Sequence, residues 1–149
     1  MRIAEICTHR VISAEADLSV HEAAELMRKH HVGSLVVTEQ PDGERLPVGF
    51  LTDRDIVLAV VAVGIDTDAL TVSDIMTRQL ATCADSEDIF DAIETMRSHA
   101  VRRLPVLNSN GGLAGMVSAD DIYGALSTHM HVLTEALRRE QVHEMQTRV

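Results

Sequence analysis

The stretch Gly49-Phe-Leu-Thr52-Asp-Arg-Asp55-Ile56 occurs a second time as Gly115-Met-Val-Ser118-Ala-Asp-Asp121-Ile122. Each copy carries a glycine, two apolar residues, a hydroxyl residue and, three positions on, a carboxylate. That order suits a strand turning into a helix, with the hydroxyl at the cap and the carboxylate at the third helical position. The occurrence of two such junctions in one chain points to an internal duplication.

The flanking sequence extends the repeat. Residues 3–37 align with residues 72–106, and 10 of the 35 pairs are identical, among them Met27/Met96, His30/His99, Leu35/Leu104 and Val37/Val106. The register then slips by three residues, within Gln40–Pro47 and Asn108–Gly112. Both segments are rich in turn residues, where a length change is tolerated. Two copies are too few for a solenoid but suit a pseudo-symmetric pair, each covering the other's apolar face.

Each unit reads β-α-β-β-α. Val11–Ser13 and Leu80–Cys83 are the expected leading strands. Val20, Ala23, Ala24 and Met27 form the apolar stripe of the first helix, and Ile89, Ile93 and Met96 that of its counterpart. Ser19 with Glu22, and Asp88 with Asp91, are the expected caps. Leu35–Thr38 pairs with Val48–Leu51, and Leu104–Leu107 with Leu113–Val117 across an Asn110-Gly111 turn. The last helix of the first unit, Ile56–Val63, is apolar all round, so it is expected to be buried on both sides, one of them by a second copy of the chain. Met130–Met145 reads as a further amphipathic helix packing on the core or on a partner. The expected fold class is therefore α/β (α+β): two pseudo-symmetric β-α-β-β-α repeats packed together, with an extra C-terminal helix. Residues 1–68 hold the first unit, 69–127 the second and 128–149 the helical extension.

Composition narrows the function. Of the 149 residues 46% are hydrophobic, yet Phe50, Phe90 and Tyr123 are the only aromatics, so the core is aliphatic and a base would be held by an aliphatic slot. The net charge is -10, and both halves are acidic, at -6 and -4. A nucleic-acid polymer needs a basic footprint, which is missing. The longest apolar run has 8 residues, short of the roughly 20 that span a bilayer. Two cysteines make no disulfide framework. With no apolar leader in view, a cytoplasmic location is expected.

The repeated junction admits two uses. A helix start offers unpaired N–H groups and a positive dipole end to an anion, a hydroxyl can touch phosphate, a carboxylate can accept from a vicinal diol, and the glycine would let a ligand approach the backbone. Alternatively the hydroxyl and carboxylate only cap their own helix. No nucleophile–base arrangement is framed by a motif, and the eight histidines form no full ligand set, so neither catalysis nor a metal is expected. Arg54 lies beside the first junction, placed equally for a phosphate or for a surface contact.

The paired Gly-h-h-[Ser/Thr]-x-x-Asp-Ile junctions (h, apolar), Asp-Ile-Met-Thr at 74–77 and Arg-Arg-Leu-Pro-Val at 102–106 resemble a tandem CBS-domain pair, the Bateman module. The resemblance runs from residue 3 to about 127, and the chain is similar to small stand-alone bacterial members. It implies a non-catalytic regulatory module, dimerised, with clefts between the repeats that bind an adenosyl ligand such as AMP, ADP or ATP; no cofactor is required. It implies ribose contacts at Asp55 and Asp121 and phosphate contacts at Thr52, Ser118 and Arg103. Segments around Thr8, Ile12, Thr77 and Ala81 would wall the base from the opposite repeat. Ser34 stands where the first repeat would need the equivalent of Arg103, so the first cleft is expected to lack that cation, and the Arg103/Ser118/Asp121 site to be the better anion binder, weakened by Asp120. The partners implied are a small-molecule nucleotide, a second copy of the chain and an unidentified effector protein. The alternative is a structural dimer without a nucleotide.

Overall fold

A computed structural model describes residues 1–40 and 43–148. The two expected units are present as two three-stranded sheets. Strands β1 (Ser13–Ala14), β2 (Ser34–Glu39) and β3 (Leu46–Thr52) form one; β4 (Cys83–Ala84), β5 (Arg103–Leu107) and β6 (Leu113–Ser118) form the other. In each sheet the first pairing is parallel and the second antiparallel, with Val37 opposite Gly49 and Val106 opposite Gly115. The leading strands are two residues long and start later than expected, because only Ser13–Ala14 and Cys83–Ala84 reach the neighbouring ladder. The loop with the length change includes Pro41 and Asp42, which lie outside the described residues. The Asn110-Gly111 turn forms, with Gly111 at φ 80° and its N–H donating to the Asn108 carbonyl at 3.0 Å.

Helices α1 (Val20–His30) and α4 (Ile89–His99) cover one face of each sheet. Val20, Ala23 and Met27 are buried as the stripe requires, with Ala24 half-buried. In α4 the small residue Ala92 takes the central buried position, and Ile93 turns outward at 36% exposure, which corrects the expected stripe. Ser19 and Glu22 exchange both bonds of a capping box; Asp88 caps α4 through the Phe90 N–H instead, with no part for Asp91. Both helices end on residues in the left-handed region, His31 and Ala100, each at φ 54°.

The cores exchange their leading segments. The 3-10 turn Ile3–Glu5 and Cys7, from the first repeat's sequence, pack with Cys83, Ile89, Leu104 and Val117 in the second core. Helix α3 (Val72–Ile75) and Met76, from the second repeat's sequence, pack with Leu35, Leu51 and Val60 in the first. The exchange is hydrogen bonded on both sides. Thr8 N donates to the Met116 carbonyl at 2.8 Å and Met116 N to the Thr8 carbonyl at 2.9 Å; Phe50 and Thr77 exchange the same two bonds at 2.9 Å each. Each segment thus covers the outer edge of the sheet it joins, leaving that edge less open to pairing with another chain.

The apolar helix of the first repeat is a short α2 (Asp53–Ile56) continuing as a π-helical turn, Val57–Val61. Ile56 and Val60 are buried, whereas Val57, Leu58, Val61 and Val63 are each more than half exposed. One side is therefore open in the single chain, the side that the sequence reading assigns to a second copy. Helix α5 runs unbroken from Ala119 to Thr147, so the expected separate C-terminal helix is a continuation of the second repeat's last helix. From Ser127 to Arg148 it is exposed throughout and does not fold back on the core. Among the described residues no helix is long and apolar enough to cross a membrane.

Candidate functional site

Both junctions form as strand-to-helix turns. Thr52 caps α2 and Ser118 caps α5, and each closes a full capping box. The Asp55 N–H donates to Thr52 Oγ1 at 3.1 Å, and the Asp121 N–H to Ser118 Oγ at 3.1 Å. In return the Thr52 N–H donates to Asp55 Oδ2 at 2.9 Å, and the Ser118 N–H to Asp121 Oδ2 at 2.8 Å; the Ser118 hydroxyl donates to the same oxygen at 2.8 Å. Capping and ligand binding are therefore compatible here. The cap engages only Oδ2 of each carboxylate, and Oδ1 makes no hydrogen bond among the described residues. A carboxylate oxygen keeps acceptor capacity for a hydroxyl.

The junction glycines have a different reason from the expected one. A Cβ on Gly115 would lie 2.8 Å from the Thr8 carbonyl oxygen and 3.0 Å from Cys7 Sγ; one on Gly49 would overlap Met76 Sδ. The glycines admit the exchanged protein segments, not a ligand.

Two clefts result, related by the pseudo-symmetry. The Thr52 cleft, about 270 Å³, is lined by Phe50, Thr52 and Asp55 of the first repeat and by Thr77, Gln79, Leu80, Ala81, Val101, Arg102, Arg103 and Pro105. The Ser118 cleft, about 340 Å³, is lined by Met116, Ser118, Asp121 and Arg103 of the second and by Thr8, Arg10, Val11, Ile12, His31, Val32, Gly33 and Ser34 of the first. These volumes lie near the lower end for small-molecule sites. Thr77 and Ala81 face Thr52 and Asp55, and Thr8 and Ile12 face Ser118 and Asp121, each pair across the repeat boundary.

Four expectations about the clefts are corrected. The Thr52 cleft is not without a cation, because Arg103 at the start of β5 and the preceding Arg102 both line it. Arg54 is exposed in the first turn of α2 and lines neither cleft. Phe50 lines the Thr52 cleft, so a ring is available there. Asp120 pairs with Arg102 at 3.5 Å and does not line the Ser118 cleft. Arg10 and Gln79, repeat equivalents, lie within the segments Thr8–Ile12 and Thr77–Ala81 expected to wall the base; His31 and Arg102 are lining residues that the sequence reading does not assign to a cleft.

No group of three or more metal-ligating side chains occurs among the described residues. Cys7 and Cys83 are free and buried. Burial raises the Cys7 thiol above its ordinary value and pushes Cys83 up to about 12. Both stay protonated near neutrality, which disfavours a nucleophilic role.

The CBS-domain family model matches residues 3–62 and 72–128. The chain belongs to the CBS-domain family. Among relatives of this CBS pair, an uncharacterised protein of Methanopyrus kandleri is 32% identical over 120 residues, which are 80% of this chain and 60% of that one. The CBS domain-containing protein YhcV of Bacillus subtilis is 34% identical over 80% of this chain and 81% of its own. Among solved structures, a CBS domain protein from Pyrobaculum aerophilum complexed with AMP superposes with a TM-score of 0.72, at 30% identity, over 81% of this chain and 89% of that one.

Proposed function

We propose that this CBS pair is a non-catalytic sensor that binds an adenosyl ligand in the clefts between its repeats. The observation that carries the proposal is the make-up of each cleft. A helix start with a half-free carboxylate from one repeat meets the leading segment of the other, with arginine at the rim. Asp55 or Asp121 takes the ribose hydroxyls through Oδ1. Thr52 or Ser118 and Arg103 take phosphate; the first-turn N–H groups of Asp53, Arg54, Asp55, Ala119 and Asp121 are already engaged within the protein. The residues around Thr77–Ala81 or Thr8–Ile12 take the base. The AMP complex of the Pyrobaculum protein supports the same ligand class here. Each cleft is built from both repeats, so a ligand that prefers one packing of the repeats shifts the population toward it, and a partner protein can read that shift.

Thermal-shift measurements with AMP, ADP, ATP, S-adenosylmethionine and NAD, with and without magnesium, test the proposal. A ligand at 100 times its Kd stabilises the fold by about 2.7 kcal/mol. A shift that falls in both Asp55→Ala and Asp121→Ala is the expected result. The alternative, a purely structural role, is favoured by the capping boxes at Ser19–Glu22 and Thr71–Asp74, which use the same chemistry outside the clefts. It predicts no shift with any of these compounds at millimolar concentration.

A further inference from the structure

The two clefts share one side chain. Arg103 opens β5, is exposed, and lines both the Thr52 cleft and the Ser118 cleft. Its backbone is in register with Ser118, and it forms no ion pair among the described residues. The two other arginines that line a cleft are each private to one. Arg102 lines only the Thr52 cleft and is engaged by Asp120, and Arg10 lines only the Ser118 cleft. Ser34, the repeat equivalent of Arg103, is short and neutral and reaches only the Ser118 cleft. The duplication thus supplies two hydroxyl–carboxylate junctions, each lining its own cleft, but only one arginine standing between them.

We infer, building on the nucleotide-binding proposal above, that Arg103 is a shared phosphate ligand that couples the two clefts. A guanidinium holds a phosphate through a planar, two-pronged set of donors, and that grip fixes its orientation. A phosphate in one cleft therefore withdraws Arg103 from the other. Two phosphate-bearing ligands then oppose each other's binding. A nucleoside without phosphate makes no demand on Arg103 and is indifferent to it. The pair of occupants this chain favours is one anionic nucleotide with one uncharged adenosyl compound. The coupling expected is on the order of tenfold in affinity, within the usual range for linked sites.

Isothermal titration of the full chain with AMP and, separately, with adenosine tests the inference. Asp55→Ala and Asp121→Ala each disable one cleft and give the affinity of the other with Arg103 free. The expected result is a second AMP step in the parent chain about tenfold weaker than the matching single-cleft affinity, with no such penalty for adenosine. In Arg103→Ala both AMP steps weaken and the penalty disappears. A second AMP step equal to the single-cleft value within twofold overturns the inference, as does a penalty that survives in Arg103→Ala. A single-cleft variant that binds no AMP also overturns it. If the aspartate variants fail to fold by circular dichroism, the two-step isotherms of the parent and Arg103→Ala decide alone. Two uncoupled AMP sites would sink the coupling while leaving the nucleotide proposal intact; absence of binding by either compound would sink both.

Discussion

Gly115→Ala tests the segment exchange at its tightest point. The added methyl would sit 2.8 Å from the Thr8 carbonyl oxygen and 3.0 Å from Cys7 Sγ. The first of these is backbone, held by two hydrogen bonds to Met116, so it cannot swing aside. Overpacking of this kind costs about 1–3 kcal/mol, and stretching two backbone hydrogen bonds adds about 1 kcal/mol, for a total near 2–4 kcal/mol. At about 2–4 °C per kcal/mol for a chain of this size, the melting temperature should fall by roughly 5–15 °C. Gly49→Ala is the internal control. There the methyl meets the Met76 thioether, the far end of a flexible side chain, and about 1 kcal/mol is expected. Thermal unfolding by circular dichroism gives the ranking, and amide exchange at Thr8 and Met116 should accelerate in Gly115→Ala alone. A Gly115→Ala protein melting within about 2 °C of its parent, or one more stable than Gly49→Ala, would refute the packing logic.

Ala100→Gly should stabilise the chain by about 1 kcal/mol, because Ala100 holds a left-handed backbone that glycine adopts without a Cβ penalty; a lower melting temperature would contradict this. Acid should destabilise the fold as Glu22 and Asp88 titrate. Both carboxyls are held below their ordinary values of 4.5 and 3.8, chiefly by the backbone N–H of Ser19 and of Phe90 respectively. Because the folded values are depressed, their contribution is present above those ordinary values and is lost as pH falls through the folded ones. Denaturant midpoints recorded from pH 6 downward should show this decline, shallower in Glu22→Gln. Cys83 should resist alkylation at pH 8 in the native chain and react in denaturant, since burial disfavours its thiolate; mass spectrometry after iodoacetamide reads the difference.

The duplication made most of the fold legible, because the period-3.6 stripes of α1 and α4 and the turn at Asn110-Gly111 are local signals. The strand-to-helix junctions were legible for the same reason: hydroxyl and carboxylate three residues apart have only short-range work to do. What the sequence left hidden was non-local. Nothing in Ile3–Cys7 says that it joins the core around Cys83 rather than its own, since an apolar residue fits either. The role of Gly49 and Gly115 followed from that hidden exchange and was misread as ligand access. The cleft that Arg103 serves depends on how the two sheets face each other, and Ser34 in its equivalent position suggested a missing cation where Arg102 and Arg103 both line the cleft. The exposed run of α5 beyond Ser127 was hidden too: helical periodicity predicts an apolar stripe but not what lies opposite it.

The exchanged segments also set a schedule for folding. Ile3 N donates to the carbonyl of Glu87, and Thr8 pairs with Met116, so the opening residues close against sequence that emerges more than eighty positions later. Loop-closure entropy must be met before such distant contacts return anything, which slows folding relative to a chain of the same size built from neighbours. During synthesis the first sheet can gather early, but its own lower edge waits for Thr77, and Ile3 stays exposed to solvent until β6 has left the ribosome. The interval in which apolar Ile3, Ile6 and Cys7 are uncovered is therefore written into the topology, and it marks the period in which this chain is most open to misassociation.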